Sequence, residues 1–439
     1  MAGGCTAALD EVRPPDNQFF FPTGVEISPD ESVLFVTNAN SELRYDSGTV
    51  SVMDIPAVRS LVDDWLATGV VPSTPDPDNT KNPACERDVN ASHTLICNEN
   101  QALIADATVR TGNFATELGV QTLADGNLRL FIAMRGDPSV TWIDYDRTAR
   151  QLECGGSGAI PVCDDTHRIT QMREDLELPT LVDEPFGIYV DSDNEYAMVT
   201  HLSSGAVSLI DTPADGTAPL LVDSLGGLFS AGNNSTPGAV GIAGRRPGAD
   251  GNLLYVTSRT ESRIQTVYVN RPTGDFPQIV PSDFFFLRNV VPSDDSRGIV
   301  FSSDGDRAYI VNRDPPMLLV VDTSLDEFGR PRNELDGAIE ICPRASNVTL
   351  ADVGRGERAY VSCFQDSQVW VVDTNSRTLD AIITVGRGPH SLRVSPTHKL
   401  LFVANFLEDT VAVVDLTPGS SSENRVALRL GRTRATGGK

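Results

Sequence analysis

Between Gly388 and Leu416 the apolar and β-branched residues fall into three short runs, Ser391 to Val394, Leu400 to Ala404 and Val411 to Val414. Nothing at helical spacing links them, so each reads as a strand. Pro396 and the stretch from Asn405 to Asp409 supply the turns between them, because proline presets φ and Asn or Asp side chains bond nearby backbone. Connections this short force neighbouring strands to pair antiparallel. The result is a three-stranded meander. One such sheet cannot bury both faces alone, so the pattern requires copies of itself to pack against.

The copies are present. The chain repeats the unit from Pro22 (PTGVEISPDESVLFVTN, then TVSVMD), from Glu117 (ELGVQTLADGNLRLFIAM, then SVTWID), from Pro185 and from Pro237. It repeats again from Ser296 (SRGIVFSSDGDRAYIVN, then LLVVD) and from Ala345, and the stretch described above is the seventh copy. Six third strands end in aspartate, at Asp54, Asp144, Asp211, Asp322, Asp373 and Asp415, and the remaining one ends in Asn270. An Asp in that place reads as a turn former bonding backbone amides. A fourth run follows most copies: Ala102 to Arg110, Pro219 to Leu225, Ala338 to Cys342, Asp380 to Val385, and Arg425 to Leu430.

Seven four-stranded antiparallel units of about 40 to 50 residues predict an all-β fold, a single seven-bladed β-propeller. The second-strand endings FVTN, YVTS, YIVN and FVAN, with SPD or SSDG in the preceding turn, resemble the YVTN-type β-propeller family across nearly all of Pro22 to Leu430. That resemblance implies seven blades and a binding site on the top face. It names no reaction. The expected layout is a tether over residues 1–16, the propeller over 17–431 with insertions at 57–101 and 147–166, and a tail over 432–439. Either Arg425 to Leu430 or the NQFFF segment at Asn17 to Phe21 is expected to close the ring.

The top face is where the chain enters each first strand and leaves each second. The lead-in column reads Thr23, Leu118, Phe186, Gly238, Arg297, Ser346 and His390; the lead-out column reads Asn38, Met134, His201, Ser258, Asn312, Cys363 and Asn405. Arg135, Arg259 and Arg313 stand just past the second column, and Arg344 and Arg387 just before the first. The chain holds 35 basic and 60 acidic residues, a net charge of −25, so guanidiniums gathered on one face run against the balance. Arginine matches carboxylate and phosphate in bidentate fashion. The candidate ligand-binding residues are therefore Arg297, His390, His201, Arg135, Arg259, Arg313, Asn38, Asn312 and Asn405, and the expected partner is a small anionic ligand or a protein. Pairing of these arginines with nearby carboxylates is the competing reading. The acidic field disfavours nucleic acid.

Enzyme motifs are missing: the chain has no G-x-S-x-G, no phosphate loop, no C-x-x-C-H and no H-E-x-x-H. A binding or scaffold protein is the leading expectation. A propeller lyase or hydrolase using His390 with Arg297, and a partner subunit of a redox complex, are the alternatives. With five histidines in the chain, no metal site or other cofactor is expected. Copper-binding propellers need a richer set. Asp76, Asp78 and Asn79, or Asp191, Asp193 and Asn194, carry oxygens that calcium takes, without the Gly and distal Glu of a complete loop.

Six of the seven cysteines fall into pairs, Cys85 with Cys97, Cys154 with Cys163 and Cys342 with Cys363. The first two pairs staple the insertions. Disulfides persist in oxidising compartments, which predicts export. Small residues before Cys5 and a polar tether after it resemble a processed bacterial lipoprotein end, with Cys5 lipidated and the protein on the membrane at the periplasm or cell surface. No run reaches the length of a membrane-spanning helix.

Overall fold

The computed structural model describes residues 12–76, 83–170, 180–230, 237–245, 252–287 and 294–431. The strands form seven sheets in sequence order, each built on four antiparallel strands, and the first strands of neighbouring sheets pack side by side to close a ring. This is the expected seven-bladed propeller. The innermost strands start at Pro22, Ala115, Pro185, Ala239, Asp294, Ala345 and Pro389. Second strands such as Val33–Asn38 and Leu400–Asn405 are buried along their whole length, because a blade interior packs on both faces. Core residues of adjacent blades merge into shared clusters, for example Tyr196, Leu209 and Phe229 with Leu254 and Val267.

Fourth strands are where pattern and structure diverge. In blade five the strand is Glu334–Glu340 rather than Ala338 to Cys342, and in blade four a nine-residue strand, Gln278–Phe286, occupies a place no repeat indicated. The outer strand faces water along much of one side, so its apolar signal is diluted and its limits blur.

The seventh blade is completed by Arg425–Leu430, and two short strands from the first insertion, Cys85–Arg87 and Leu95–Cys97, extend that blade outward. The strand Leu95–Cys97 runs parallel to Leu428–Leu430. Blade one thus sends a piece of itself to blade seven. A helix, Ile55–Thr68, leads into this crossing; Asp54 caps it by accepting from Ala57 N–H, and Gly69 ends it at φ 63°. Its Ile55, Val58, Val62 and Trp65 pack with Leu400, Phe402 and Leu428 in the seam between blades one and seven. That apolar spacing is helical, and reading the insertion as a plain stapled loop misses it. The NQFFF segment forms no strand. Phe19, Phe20 and Phe21 are buried, with Phe20 N–H donating to Asn38 and Phe21 N–H to Asp409. It wedges the same seam instead of pairing in a blade.

All three cysteine pairs are disulfides. The second insertion lies along the outer edge of blade one, where Arg110 N–H donates to the Pro161 carbonyl and Cys163 N–H to that of Arg110. Both insertions leave the bottom of their blades, yet they cover rim and seam.

Candidate functional site

The strand-ending motif has a mechanical role. In blades three and four the hydroxyl of Thr200 or Thr257 accepts from the N–H of Gly187 or Gly241 (2.9 and 2.8 Å). The same hydroxyls donate to the carbonyls of Val240 and Arg297 in the next blade, each at 2.7 Å. Ser362 repeats this toward Asn347 and His390. Gly187 and Gly241 are glycine because a Cβ there would strike the next blade's carbonyl. These bonds stitch the rim of the central channel and hold each lead-in residue in place.

Strand register corrects the lead-in column at two places. Ala115 pairs with Met134 and Ala239 with Ser258, so Thr116 and Val240, not Leu118 and Gly238, occupy it. In blade two Gly119 mimics the glycine that follows the lead-in residue elsewhere, and in blade four Pro237 mimics the proline that precedes it, so the alignment slips by two residues in opposite directions. All seven lead-out positions stand as read.

Those lead-out side chains turn into the blades. Asn38 bonds Thr49 and the Phe20 amide, Asn405 bonds Thr410 and the Gly386 amide, and Asn312 bonds Ser296 and the Pro315 carbonyl. His201 is fully buried between the Asp183 carbonyl and the Ser208 hydroxyl. Burial drives its pKa down to about 4, with bonds to the Asp183 and Val182 backbone opposing. None of the four lines the cavity, and neither does Arg259, whose side chain lies across Gly238. The reason is common: a residue at the end of a strand buried on both faces satisfies the backbone of the turn rather than the channel.

A cavity of about 760 Å³ opens on the top face. Its polar lining includes Arg135, Arg297, Arg313, Arg344, Arg387 and His390. Four phenylalanines, Phe114, Phe186, Phe364 and Phe406, supply apolar walls, and apart from Phe186 no column pointed to them. Size and mixture suit a small organic ligand. The arginines differ in their partners. Arg135 donates to Glu184 at 2.7 Å. Arg297 Nε lies 2.5 Å from Asp295 Oδ1, but neither atom is in hydrogen-bond alignment, so the contact is an ion pair and not a directed bond. Arg313 donates to the Ala345 carbonyl and the Ser346 hydroxyl, and among the described residues neither it nor Arg344 forms an ion pair. Burial, helped by the charges of Arg297 and Arg344 and opposed by that of Asp295, draws Arg313 down to about 10. It stays cationic at neutral pH.

His390 Nδ1 lies 2.9 Å from the Thr23 carbonyl, which can only accept, so the proton is on Nδ1 and Nε2 keeps its lone pair. Burial first, then Arg313 and Arg297, hold this imidazole below its ordinary pKa against the Thr23 bond. It is neutral at pH 7.

Beneath the cavity the channel narrows to a neck of about 40 Å³ lined by Glu117, Arg297, Arg313, Ser346, Asn347 and His390 among others. Glu117 follows Thr116 in blade two and was hidden by the same two-residue slip. Desolvation raises its carboxyl to about 7, with Arg393 and an Ile188 backbone bond opposing and Glu26 reinforcing. Asp191, one of the calcium candidates, accepts from the amides of Asp193 and Asn194 as a turn former. Asp78, Asn79 and Cys5 lie outside the described residues. Among the described residues no helix is long and apolar enough to cross a membrane. The three disulfides place the protein in an oxidising, exported environment.

No protein-family model and no curated protein matches this sequence. Solved structures do. A putative 6-phosphogluconolactonase from Bacteroides fragilis superposes with a TM-score of 0.58 at 15% identity, over 92% of this chain and 99% of that one. Hydrazine synthase from Kuenenia stuttgartiensis gives 0.55 at 15% identity over 96% and 100%. The periplasmic gluconolactonase of Pseudomonas aeruginosa gives 0.53 at 16% identity over 85% and 87%. At such identities the likeness is one of fold.

Proposed function

We propose that this is an exported binding protein of the YVTN type, tethered to a membrane through lipid on Cys5, whose top cavity takes an organic anion or an acidic segment of a partner protein. The observation that carries this reading is Arg313: a cation at the cavity floor, with no ion pair among the described residues, in a chain of net charge −25. Left alone, such a group is costly to bury, and an anion would supply the missing charge. Binding should be saturable and salt-sensitive, since raising ionic strength from about 0.1 to 1 M shortens the screening length from roughly 10 to 3 Å. Titration calorimetry with naphthalene-2-sulfonate, a permanently charged probe, tests it. Arg297→Ala and Arg313→Ala should each weaken binding by about 1.5 to 3 kcal/mol. Unchanged affinity in both variants would sink the reading.

A second reading has its own support. Neutral His390, whose Nε2 has no hydrogen-bond partner among the described residues and which stands beside Arg297, has the makings of a general base next to a cation for a developing oxyanion. Two of the similar folds are named as lactonases. Hydrolysis of gluconolactone above the background rate, abolished in His390→Gln, would establish this hydrolase reading; no turnover would remove it.

A further inference from the structure

The neck beneath the cavity joins three facts: it is continuous with the arginine-lined mouth, it is large enough for little more than one small group, and its floor carries a carboxyl. Arg297, Arg313, Ser346, Phe186 and His390 line both spaces. A volume of about 40 Å³ admits a water or a single acid group, since one water needs roughly 10 to 15 Å³. Phe114, Phe364 and Phe406 stand above, around the wider space. A ligand filling both parts is amphiphilic: acid group below, apolar body above.

Glu117 is poorly served as an anion. Arg393 lies within its Coulombic reach, but Arg393 is already committed to Glu26, which it meets through Nε and Nη2, both at 2.8 Å. With both glutamates ionised, one guanidinium faces two carboxylates. Asn347 Nδ2 reaches Glu117 Oε1 at 3.4 Å, a long bond. Other charges on adjoining strands are engaged elsewhere: Arg129 in blade two with Asp144, and Asp191 in blade three with its own turn. Above, the neck offers Arg297 and Arg313, which are cations, and His390, which is neutral. In its protonated form Glu117 has an O–H to give. An acid group seated between it and the two guanidiniums would be the acceptor.

Building on the anion-site reading, we propose that the ligand is an amphiphilic organic anion whose acid group enters the neck, and that its binding carries one proton from solvent onto Glu117, whose O–H then donates to the bound anion. The raised pKa of Glu117 supports this, because the carboxyl already sits near half-protonation at neutral pH and a second negative charge beside it pushes the balance further.

Calorimetry with naphthalene-2-sulfonate, whose own charge does not change between about pH 5 and 9, reads proton uptake when run in two buffers of unlike ionisation enthalpy. The expected result is uptake approaching one proton between about pH 7 and 8, with affinity falling by up to about tenfold per pH unit there. Glu117→Gln should abolish uptake and flatten the profile. Binding that is lost in Arg313→Ala yet takes up no proton overturns this inference while leaving the anion site standing. Binding indifferent to Arg297→Ala and Arg313→Ala overturns both. If Glu117→Gln does not fold, the wild-type profile decides: uptake confined below about pH 6 belongs to His390, whose pKa is lowered, and overturns the assignment.

Discussion

Arg135 and Arg313 stand in matching places on different sides of the mouth, each one residue after its lead-out position, at Met134 and Asn312. Arg135 is answered by Glu184 at 2.7 Å; Arg313 is answered by a carbonyl and a hydroxyl. Away from the mouth, at the bottom of the blades, the fold answers its arginines as it answers Arg135: Arg129 of blade two is fully buried and held in a fork by Asp144 (2.7 and 2.9 Å), and Arg271 of blade four meets Asp211 of blade three at 2.8 Å. On the side of blades five and six, Arg313 and Arg344 project into the cavity without an ion pair among the described residues. Charge supplied by the fold makes an arginine part of the framework. Charge withheld leaves it for a ligand, so position in the repeat does not decide the role.

The sharpest way to separate the two kinds is to break a framework arginine. Arg129 also donates to the carbonyls of Thr217 and Gly216, tying blade two to blade three. Arg129→Met should leave Asp144 without its partner and lower stability by about 3 to 5 kcal/mol, read as the urea midpoint, while probe affinity in the folded fraction stays unchanged. A loss of affinity without loss of stability would erase the distinction.

A second test uses acid. His201 belongs to the framework side, and its pKa is depressed from 6.5 to about 4. A depressed histidine contributes stability that is present above pH 6.5 and lost as pH falls through 4, because the unfolded chain then binds the extra proton. The drop of 2.5 units at about 1.4 kcal/mol each amounts to about 3 kcal/mol. Glu117, raised to about 7, acts with the opposite sign: its contribution is present below its unfolded value and is lost as pH rises through 7. The two partly cancel in the parent protein. His201→Gln should remove the acid-side slope and expose the Glu117 slope in chemical denaturation followed from about pH 5 to 8; an unaltered pH profile would place His201 outside this linkage.

The repeat was legible because each blade obeys the same constraint. Second strands buried on both faces must be continuously apolar, and turns must carry Asp, Asn or Gly, so FVTN, YVTS and FVAN stand out against any background. Disulfide pairs were legible because proximity in sequence and matching blade positions agreed. The channel floor was not legible. Glu117 stands where four other blades place glycine, at Gly24, Gly187, Gly241 and Gly298, and a glycine two residues later at Gly119 drew the alignment to itself. Nor could the sequence tell Arg135 from Arg313, since Glu184 is 49 residues from its partner and no local pattern joins them.

The disulfide Cys342–Cys363 lies on the ligand-facing side. It fastens the segment before Arg344 to the segment before Phe364 and Gln365, all three of which line the cavity. Replacing both cysteines by alanine should lower stability by about 2 to 3 kcal/mol through freedom returned to the unfolded chain. It should also weaken probe binding by a few-fold, because Arg344 and Phe364 would no longer be held on a common support. Stability loss with affinity intact would show that the blade six turns keep their geometry without the link.

The smallest effect expected is the most discriminating. Arg135 and Arg313 both line the cavity, so a purely positional account assigns them equal weight. The pairing account does not. Arg135 and Glu184 are each about one-third exposed, at 35% and 36%, and the carboxylate is held below its ordinary pKa chiefly by the bond to Arg135. An exposed pair of this kind contributes below about 1 kcal/mol, and its charge is already neutralised before any ligand arrives. Arg135→Gln should therefore change probe affinity less than threefold, against the ten- to hundredfold loss expected of Arg313→Ala at about 1.5 to 3 kcal/mol. Measured side by side in one buffer at low salt, a ratio near one between the two variants would mean that Glu184 releases Arg135 when the ligand binds, and that the two walls act as one.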